Sequence, residues 1–303
     1  MLSQVLVVVG ALAALIPGFP PAAALVAGVV IGLVLGNPWP KHTPKLVKTG
    51  LALCVVGLGF GVDLGVVARV GSQGVVVTAL GILVTLTLGV TLGRLLGVDR
   101  VLTLLISVGT AICGGSAIAA AAPALGAKDE HVGIAVGTVF LLNALALVIF
   151  PPLGHFLHLE PETFGRWAAL AIHDTSSVVG AASAYGGGAL AIATTTKLAR
   201  ALWIVPVTFV LSWREGKGGR PTVPWFIPAF LAAAALVTFV PALVGPGHAV
   251  SAGAKQALGS VLFLTGLGVS RTALAAVGPR PLVLAVALWA FVSVLGLVVV
   301  RSL

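Results

Sequence analysis

Charged side chains are scarce in this sequence of 303 residues. Asp, Glu, Lys and Arg together make up 8% of it, whereas soluble domains carry roughly 25%. That scarcity excludes an ordinary soluble domain. Hydrophobic residues make up 59%, the mean hydropathy is +1.16, and apolar stretches of about 20 residues, enough to span a bilayer as a helix, recur along the chain. We therefore predict an all-α polytopic membrane protein with about eleven transmembrane helices.

Cysteine is equally rare, and several signature motifs are missing. Cys54 and Cys113 both lie in apolar stretches, which excludes a disulfide framework and a paired-cysteine metal site. The glycines at 186–188 lack the Lys-Ser/Thr ending of an ATP-binding loop, and no HExxH zinc motif occurs. The sequence therefore predicts no cofactor and no metal, and any energy that the protein uses has to come from an ion gradient or from the gradient of another solute.

The cationic residues of the loops predict the orientation in the membrane. The candidate spans are approximately 2–17, 21–36, 48–67, 72–96, 101–125, 131–154, 165–185, 187–213, 222–245, 255–275 and 279–300. With a cytoplasmic N-terminus, the cytoplasmic side holds eleven cations against four: Lys41, Lys45, Lys48, Arg94, Arg100, Arg166, Arg214, Lys217, Arg220, Arg271 and Arg280 against Arg69, Lys128, Lys255 and Arg301. We expect a multi-pass protein of the bacterial inner membrane. The net charge of +9 follows from this topology and does not indicate nucleic-acid binding.

Two cations lie inside an apolar stretch rather than in a loop. Lys197 and Arg200 are three residues apart, so they share one face of a helix. A cation at bilayer depth costs roughly 2.5–3.5 kcal/mol on insertion scales and usually meets a partner or lines a pathway. The partner is either an external anion or a buried carboxylate of the protein, Asp63 or Asp174.

Two candidate spans contain residues that interrupt helices. The span 101–125 holds Gly114-Gly115 beside Thr110, Cys113 and Ser116, and the span 165–185 holds His173-Asp174-Thr175-Ser176-Ser177. Asp, Thr and Ser are N-cap residues, so a half-helix is predicted to begin near Asp174. Interrupted helices mark the binding sites of transporters, and their N-termini attract oxyanions. The alternatives are close packing of small residues at Gly114-Gly115 and a structural pair at His173-Asp174.

A short internal similarity indicates inverted repeats. The segment 57–71, which begins Gly-Leu-Gly and contains Asp63, is similar to the segment 266–278, which also begins Gly-Leu-Gly. Both segments close a span, and the predicted topology puts their ends on opposite sides of the membrane, as inverted repeats require.

Four motifs together resemble a known family. The segments Gly57–Leu64, Gly109–Pro123, His173–Ala182 and Lys197–Arg200 resemble, in this order, those of the YeiH-like family of proposed sulfate exporters. That family is grouped with bile-acid, arsenite and auxin-type carriers. The resemblance implies an inverted-repeat carrier fold whose core has two broken, crossing helices. It implies a single transporter domain with core helices at about 48–213 and 255–303 and panel helices at about 1–36 and 222–245.

The resulting hypothesis is a secondary transporter that exports a small anion such as sulfate, sulfite or a sulfonate. The predicted anion-binding residues are Thr110, Cys113, Gly114, Gly115, Ser116, Thr175, Ser176, Ser177, Lys197 and Arg200. Asp63, His173 and Asp174 are predicted to pair with the cations or to carry a coupling ion, a proton or sodium. Histidine titrates closest to neutrality, which favours His173 as a coupling group. Transport would proceed by rocking of the core against the other spans.

Two other functions remain open at this stage. An anion channel would use the same residues without alternating access. An intramembrane hydrolase would need a convergent triad, whereas His173 and Asp174 are adjacent and point about 100° apart on a helix; we expect no enzyme. The expected partners are a small inorganic or organic anion, a coupling ion and membrane lipid. Glycine-rich spans also permit a homodimer.

Overall fold

The structure is a computed structural model that describes residues 2–16, 19, 21–215, 225–268 and 278–302, apart from the side chains of residues 2, 21, 22, 66 and 69–74. Every regular element among these residues is helical, which confirms the predicted all-α class. The helices are α1 Leu2–Ala13, α2 Pro21–Val34, α3 Thr43–Gly59, α4 Leu64–Leu95, α5 Arg100–Ala111, α6 Gly115–Leu125, α7 Asp129–Phe156, α8 Pro161–Ala171, α9 Thr175–Tyr185, α10 Ala189–Ala201, α11 Ile204–Arg214, α12 Phe226–Phe239, α13 Val244–Leu267 and α14 Pro279–Ser302.

Four helices in the described ranges are long and apolar enough to cross a membrane by themselves. They are Val75–Leu95 within α4, the whole of α7, the continuous pair α10–α11 and α14. A fifth span is possible if α12 and α13, which meet at a bend of 112°, are counted as one. The 28 residues of α7 extend for about 42 Å, more than the roughly 30 Å of the hydrocarbon core of a bilayer.

The first interrupted segment turns back on itself. Asp99, just before α5, lies 3.7 Å from His131 in the first turn of α7, so α5 begins and α6 ends at the same membrane face. The two helices pack side by side: a Cβ atom on Gly109 would lie 2.9 Å from Cδ1 of Ile118. The pair α5–α6 is therefore a re-entrant hairpin, and the break at residues 112–114 forms its tip.

The second interrupted segment is a hairpin from the opposite face. Tyr185 at the end of α9 donates a hydrogen bond to the carbonyl of Leu159, just before α8. The Tyr185 ring also stacks on Phe164 of α8, with ring centroids 3.8 Å apart. The same face holds the end of α14, because Arg301 donates to the Leu157 carbonyl at 3.1 Å. The pair α8–α9 thus enters and leaves at the Leu157 face, and its tip is the break at residues 172–174.

These reversals differ from the expected topology at two segments. The segments 101–125 and 165–185, expected to be spans, do not carry the chain from one face to the other. Since both reverse, the later helices keep their expected direction. Lys128 lies at the Asp99 face instead of the opposite one, and Arg166 lies at the Leu157 face. One cation is therefore gained and one lost on each side, and the excess of loop cations on the Asp99 side is unchanged.

Helices α1, α2 and α3 pack against α13. The loop expected between 245 and 255 is absent, because α13 is continuous from Val244 to Leu267. Contact between α2 and α13 depends on glycine: a Cβ atom on Gly28 would lie 2.0 Å from the carbonyl oxygen of Phe263.

The repeat hypothesis concerns residues that the structure describes only in part. The first segment ends α3 at Gly59, and the second ends α13 at Leu267, as expected for two segments that close helices. Ser270 and Arg271 of the second segment, together with Lys217 and Arg220, lie outside the described residues. The side chain of Arg69 does as well.

Candidate functional site

The tips of the two hairpins touch. A Cβ atom on Gly114 would lie 3.3 Å from Cβ of Asp174 and 3.4 Å from its backbone nitrogen. Gly114 has φ +66° and ψ −129°, a conformation that is essentially restricted to glycine. Both predicted interruptions are therefore confirmed, and they meet. We call the junction the residues 110–116 and 169–177 together with the side chains of Asn143, Lys197 and Arg200.

The junction lies at middle depth. Asn143 of α7 accepts hydrogen bonds through Oδ1 from the backbone N–H groups of His173 and Asp174, at 3.1 and 3.3 Å. It lies about 18 Å along α7 from His131, at the Asp99 face, and about 16 Å from Gly154, which packs on the opposite hairpin. Irregular backbone at this depth is tolerated only when protein groups or a polar cavity satisfy it.

Asp174 begins the second half of its hairpin. Its side chain is the N-cap of α9, with Oδ1 accepting from Ser177 N–H at 2.6 Å and Oδ2 accepting from the Ser176 hydroxyl at 2.8 Å. The predicted start of a half-helix near Asp174 is confirmed. The neighbouring Thr175 is buried. The capping carboxylate satisfies α9, and it also puts a negative charge at the positive end of the helix dipole.

Lys197 holds the two hairpins together through backbone carbonyls. Its side chain is completely buried, and Nζ donates to Ile112 at 3.1 Å and to Ala169 and Ile172 at 3.3 and 2.7 Å. An ammonium group has three donors and no acceptor, so three carbonyl partners match its charged form. Ile112 belongs to the first tip, and Ala169 and Ile172 belong to α8 and the second tip.

Arg200 makes the same kind of bridge one turn further along α10. Its Nε donates to Ala111 at 2.8 Å and its Nη2 to Thr110 at 3.3 Å, both in α5. Its Nη1 donates to Ala169 at 3.3 Å and also to Leu170, both in α8. The two cations thus occupy the C-terminal ends of α5 and α8, where free carbonyls and the negative ends of the helix dipoles favour positive charge.

Neither cation pairs with the carboxylates that the sequence suggested. Over the described ranges, no ion pair joins Lys197 or Arg200 to an aspartate. Asp63 is exposed in the turn between α3 and α4, where it accepts from Gly65 N–H at 2.7 Å and contacts Thr238 of α12. Asp174 is close enough to Lys197 for an electrostatic interaction, but it is bound as an N-cap. The physical reason is that helix C-termini supply nearer acceptors.

Several buried polar groups of the junction have no partner among the residues that the structure describes. Both ring nitrogens of His173, Oγ1 of Thr110 and Nδ2 of Asn143 are buried without a hydrogen bond. No hydrogen bond joins His173 to Ser176 or Ser177 in the part of the chain that the structure describes. At the start of α6, no acceptor in the described part of the chain bonds to the N–H groups of Gly115 and Ser116. The unsatisfied groups are predominantly donors, which suits a ligand that accepts hydrogen bonds.

A small cavity of about 10 Å³ adjoins the second tip. Asn143, Asp174 and Ser177 line one side of it, and Leu25 of α2 and Thr265 of α13 line the other. Phe140 and Ala144 of α7 complete the wall. The cavity therefore lies between the second hairpin and α7 on one side and α2 and α13 on the other. It has room for about one water molecule.

The junction carries more positive than negative charge. Lys197 and Arg200 supply two cations, and Asp174 supplies the one carboxylate at the tips among the described residues. The negative ends of α5 and α8 balance the positive ends of α6 and α9. Among the residues that the structure describes, one of these two positive charges is left without a carboxylate as counter-charge.

Most of the predicted site residues lie at the junction. Asp63 is the exception in location, and Ser116 is exposed rather than buried. Asn143 was missed by the sequence reasoning. Its signal was available, because it is an isolated amide inside the apolar stretch of α7, and polar residues at bilayer depth usually have a function.

Comparison with known proteins agrees with the membrane assignment. A family model described as conserved hypothetical protein 698 matches residues 1–285. UPF0324 membrane protein Bd1437 of Bdellovibrio bacteriovorus is 51% identical over 292 residues, which cover 94% of this chain and 90% of that protein. UPF0324 membrane protein GSU2818 of Geobacter sulfurreducens is 49% identical over 285 residues, which cover 94% and 92%. No solved structure matches. These names give no substrate.

Proposed function

We propose that this chain, which belongs to the UPF0324 membrane protein family, is a secondary transporter for a small anion. The observation that carries the proposal is the contact between two re-entrant hairpin tips at middle depth, with two buried cations and one carboxylate beside them. Interrupted helices that meet at the midplane are typical of the binding sites of secondary transporters.

The charge of the junction favours an anion over a cation or a neutral solute. An anion would balance the remaining positive charge contributed by Lys197 and Arg200. It would also accept hydrogen bonds from groups that now have no partner, such as Asn143 Nδ2 and the N–H groups of Gly115 and Ser116. The side-chain N–H groups of Lys197 and Arg200 already donate to backbone carbonyls. The two cations would therefore act on the anion mainly through their charge rather than through hydrogen bonds.

The finer proposal names sulfate, sulfite or a sulfonate as the substrate. It rests on the resemblance of the motifs to proposed sulfate exporters, and it includes export as the direction. We further propose the bacterial inner membrane as the location, with the Asp99 face towards the cytoplasm, because the cationic loop residues concentrate there.

Counterflow in proteoliposomes tests this function. Labelled sulfate would be followed against an internal excess of sulfate, sulfite, methanesulfonate, phosphate or chloride. We expect saturable counterflow for at least one oxyanion, and a loss of tenfold or more, per folded protein, in Lys197→Ala. The matched control is Lys255→Ala, which removes an exposed lysine of α13 and is expected to transport as the wild type does.

Two results would contradict the proposal. If no anion shows counterflow, the protein is not a carrier of this class. If flux rises linearly with anion concentration and produces conductance, the protein is an anion channel.

A further inference from the structure

The cavity beside Asp174 points to the coupling ion. Two of its polar lining residues differ chemically: Asn143 has an amide N–H group without a partner among the described residues, and Asp174 has a carboxylate. The inference developed from this contrast rests on the proposed function as an anion carrier. It concerns which ion moves with the anion and which residue carries it.

The orientation of the Asn143 amide is fixed by its partners. Oδ1 accepts from two backbone N–H groups of the second tip, those of His173 and Asp174. Because both partners are donors, the oxygen must face them, and Nδ2 faces away, where none of the described residues bonds to it. Asn143 is 2% exposed. A buried amide N–H without an acceptor, at the edge of a cavity, indicates a ligand that accepts hydrogen bonds.

The same cavity disfavours a bare anion. An anion that accepts from Asn143 Nδ2 lies against the Asp174 carboxylate, which lines the same small space. Two negative charges in contact in a buried site cannot both persist, so one of them takes up a proton. A metal cation would satisfy Asp174, but it would leave the Asn143 N–H group facing positive charge.

We infer that the cavity between Asn143, Asp174 and helices α2 and α13 is the site where the anion and one proton are bound together, the proton shared with Asp174. Asn143 contacts the anion, and Asp174 takes the proton from the aqueous side that is open and releases it on the other. The present cavity has room for about one water molecule. The anion therefore enters when the wall formed by α2 and α13 moves back.

Other titratable or charged groups lie at the same junction as Asp174. Cys113 of the first tip and Lys197 of α10 interact electrostatically with it, α10 also contributes Arg200, and His173 precedes it in the second tip. The described lining residues of α2, α7 and α13 are not titratable. Lys197 and Arg200 are held as cations by carbonyls, which leaves His173 as the rival proton carrier.

Proton movement and anion exchange can be measured in the same vesicles. A pH-sensitive dye inside the proteoliposomes would report protons, and the anion with the fastest counterflow would be the probe. We expect net anion entry to acidify the lumen in the wild type, with about one proton per anion. In Asp174→Asn we expect that ratio to fall at least tenfold and the rates of exchange at pH 6 and pH 8 to become equal. Asparagine is an equally good N-cap, so the helix start is retained.

A second variant tests the cavity without touching Asp174. Asn143→Asp keeps the acceptor oxygen for the two N–H groups but replaces the free donor with a second carboxylate. We expect at least a tenfold higher KM for the anion at pH 8, with recovery at pH 6. Matched controls make the same chemical changes elsewhere. Asp99→Asn, at the N-cap of α5, is the control for Asp174→Asn. Asn37→Asp is the control for Asn143→Asp, because Oδ1 of Asn37 likewise accepts from a backbone N–H group. Both should behave as the wild type does.

The failures are distinguishable. Absence of anion counterflow in the wild type would overturn the proposed function. Intact counterflow with no acidification during net entry would leave the carrier standing and overturn the inference. The inference about Asp174 also fails if Asp174→Asn still moves protons while His173→Gln does not. An unchanged KM in folded Asn143→Asp would remove the cavity from the anion site.

Discussion

Replacement of Lys197 by methionine tests the bridge between the hairpins. Methionine is unbranched and apolar, so Lys197→Met keeps much of the buried volume and removes the three N–H donors. The carbonyls of Ile112, Ala169 and Ile172 would then be left without this partner at middle depth. The expected result is a less stable protein even when no anion is present.

The size of the effect follows from the bonds that are lost. A hydrogen bond to a charged group contributes about 1.5–3 kcal/mol, and removal of one partner from a buried charged arrangement costs about 3–5 kcal/mol in soluble proteins. Because Arg200 still bridges the same two hairpins, we take the lower part of that range, about 3 kcal/mol. For large domains, a loss of 1 kcal/mol of stability lowers the midpoint temperature of thermal unfolding by about 2–4 °C. We therefore expect that midpoint temperature to fall by about 10 °C in Lys197→Met.

Thermal unfolding of the purified protein in detergent is the appropriate assay. Lys255→Met is the matched control, because it makes the same change at an exposed position of α13; its midpoint should stay within about 2 °C of the wild type. The anion must be left out of the buffer, so that loss of a ligand cannot produce the shift. If Lys197→Met and Lys255→Met unfold at the same temperature, the carbonyl bridge does not stabilise the junction, and the reasoning is refuted.

Three further predictions concern the hairpins and the packing around α13. In membrane vesicles, Arg100→Cys and Lys128→Cys should react with an impermeant thiol reagent from the same face, whereas a crossing segment 101–125 would put them on opposite faces. Gly114→Ala should lower the thermal midpoint, because its positive φ costs about 1–3 kcal/mol for a residue with a Cβ atom; an unchanged midpoint would mean that the tip has another conformation. Gly28→Ala should destabilise the protein through its 2.0 Å approach to a carbonyl, whereas Gly253→Ala, with no atom within 4 Å, should be neutral or slightly stabilising in the same assay.

The helix breaks could be predicted because the residues that cause them are local signals. Gly114 and Asp174 interrupt helices through backbone freedom and N-capping, whatever the rest of the chain does. The reversal at each break could not be predicted in the same way. Two half-helices of 12 and 11 residues together contain as much apolar sequence as one spanning helix. A hydropathy profile is therefore the same for a re-entrant hairpin and for a single span.

The partners of Lys197 and Arg200 show a second limit. A sequence displays carboxylates, so Asp63 and Asp174 were the visible candidates for pairing. The groups that bind the cations in the structure are backbone carbonyls of α5 and α8, which every residue has and no residue type marks. Which carbonyls are free depends on where helices end and how they pack, and this information exists only in three dimensions.

The bridging by α10 has a consequence for how the chain is made. The carbonyls at the ends of α5 and α8 lie 25 to 90 residues ahead of the side chains that bind them. A growing chain therefore places both hairpins in the membrane before their partners have been synthesised. Exposed carbonyls at that depth are costly, so we expect the hairpins to reach their final position only after Lys197 and Arg200 have entered the bilayer.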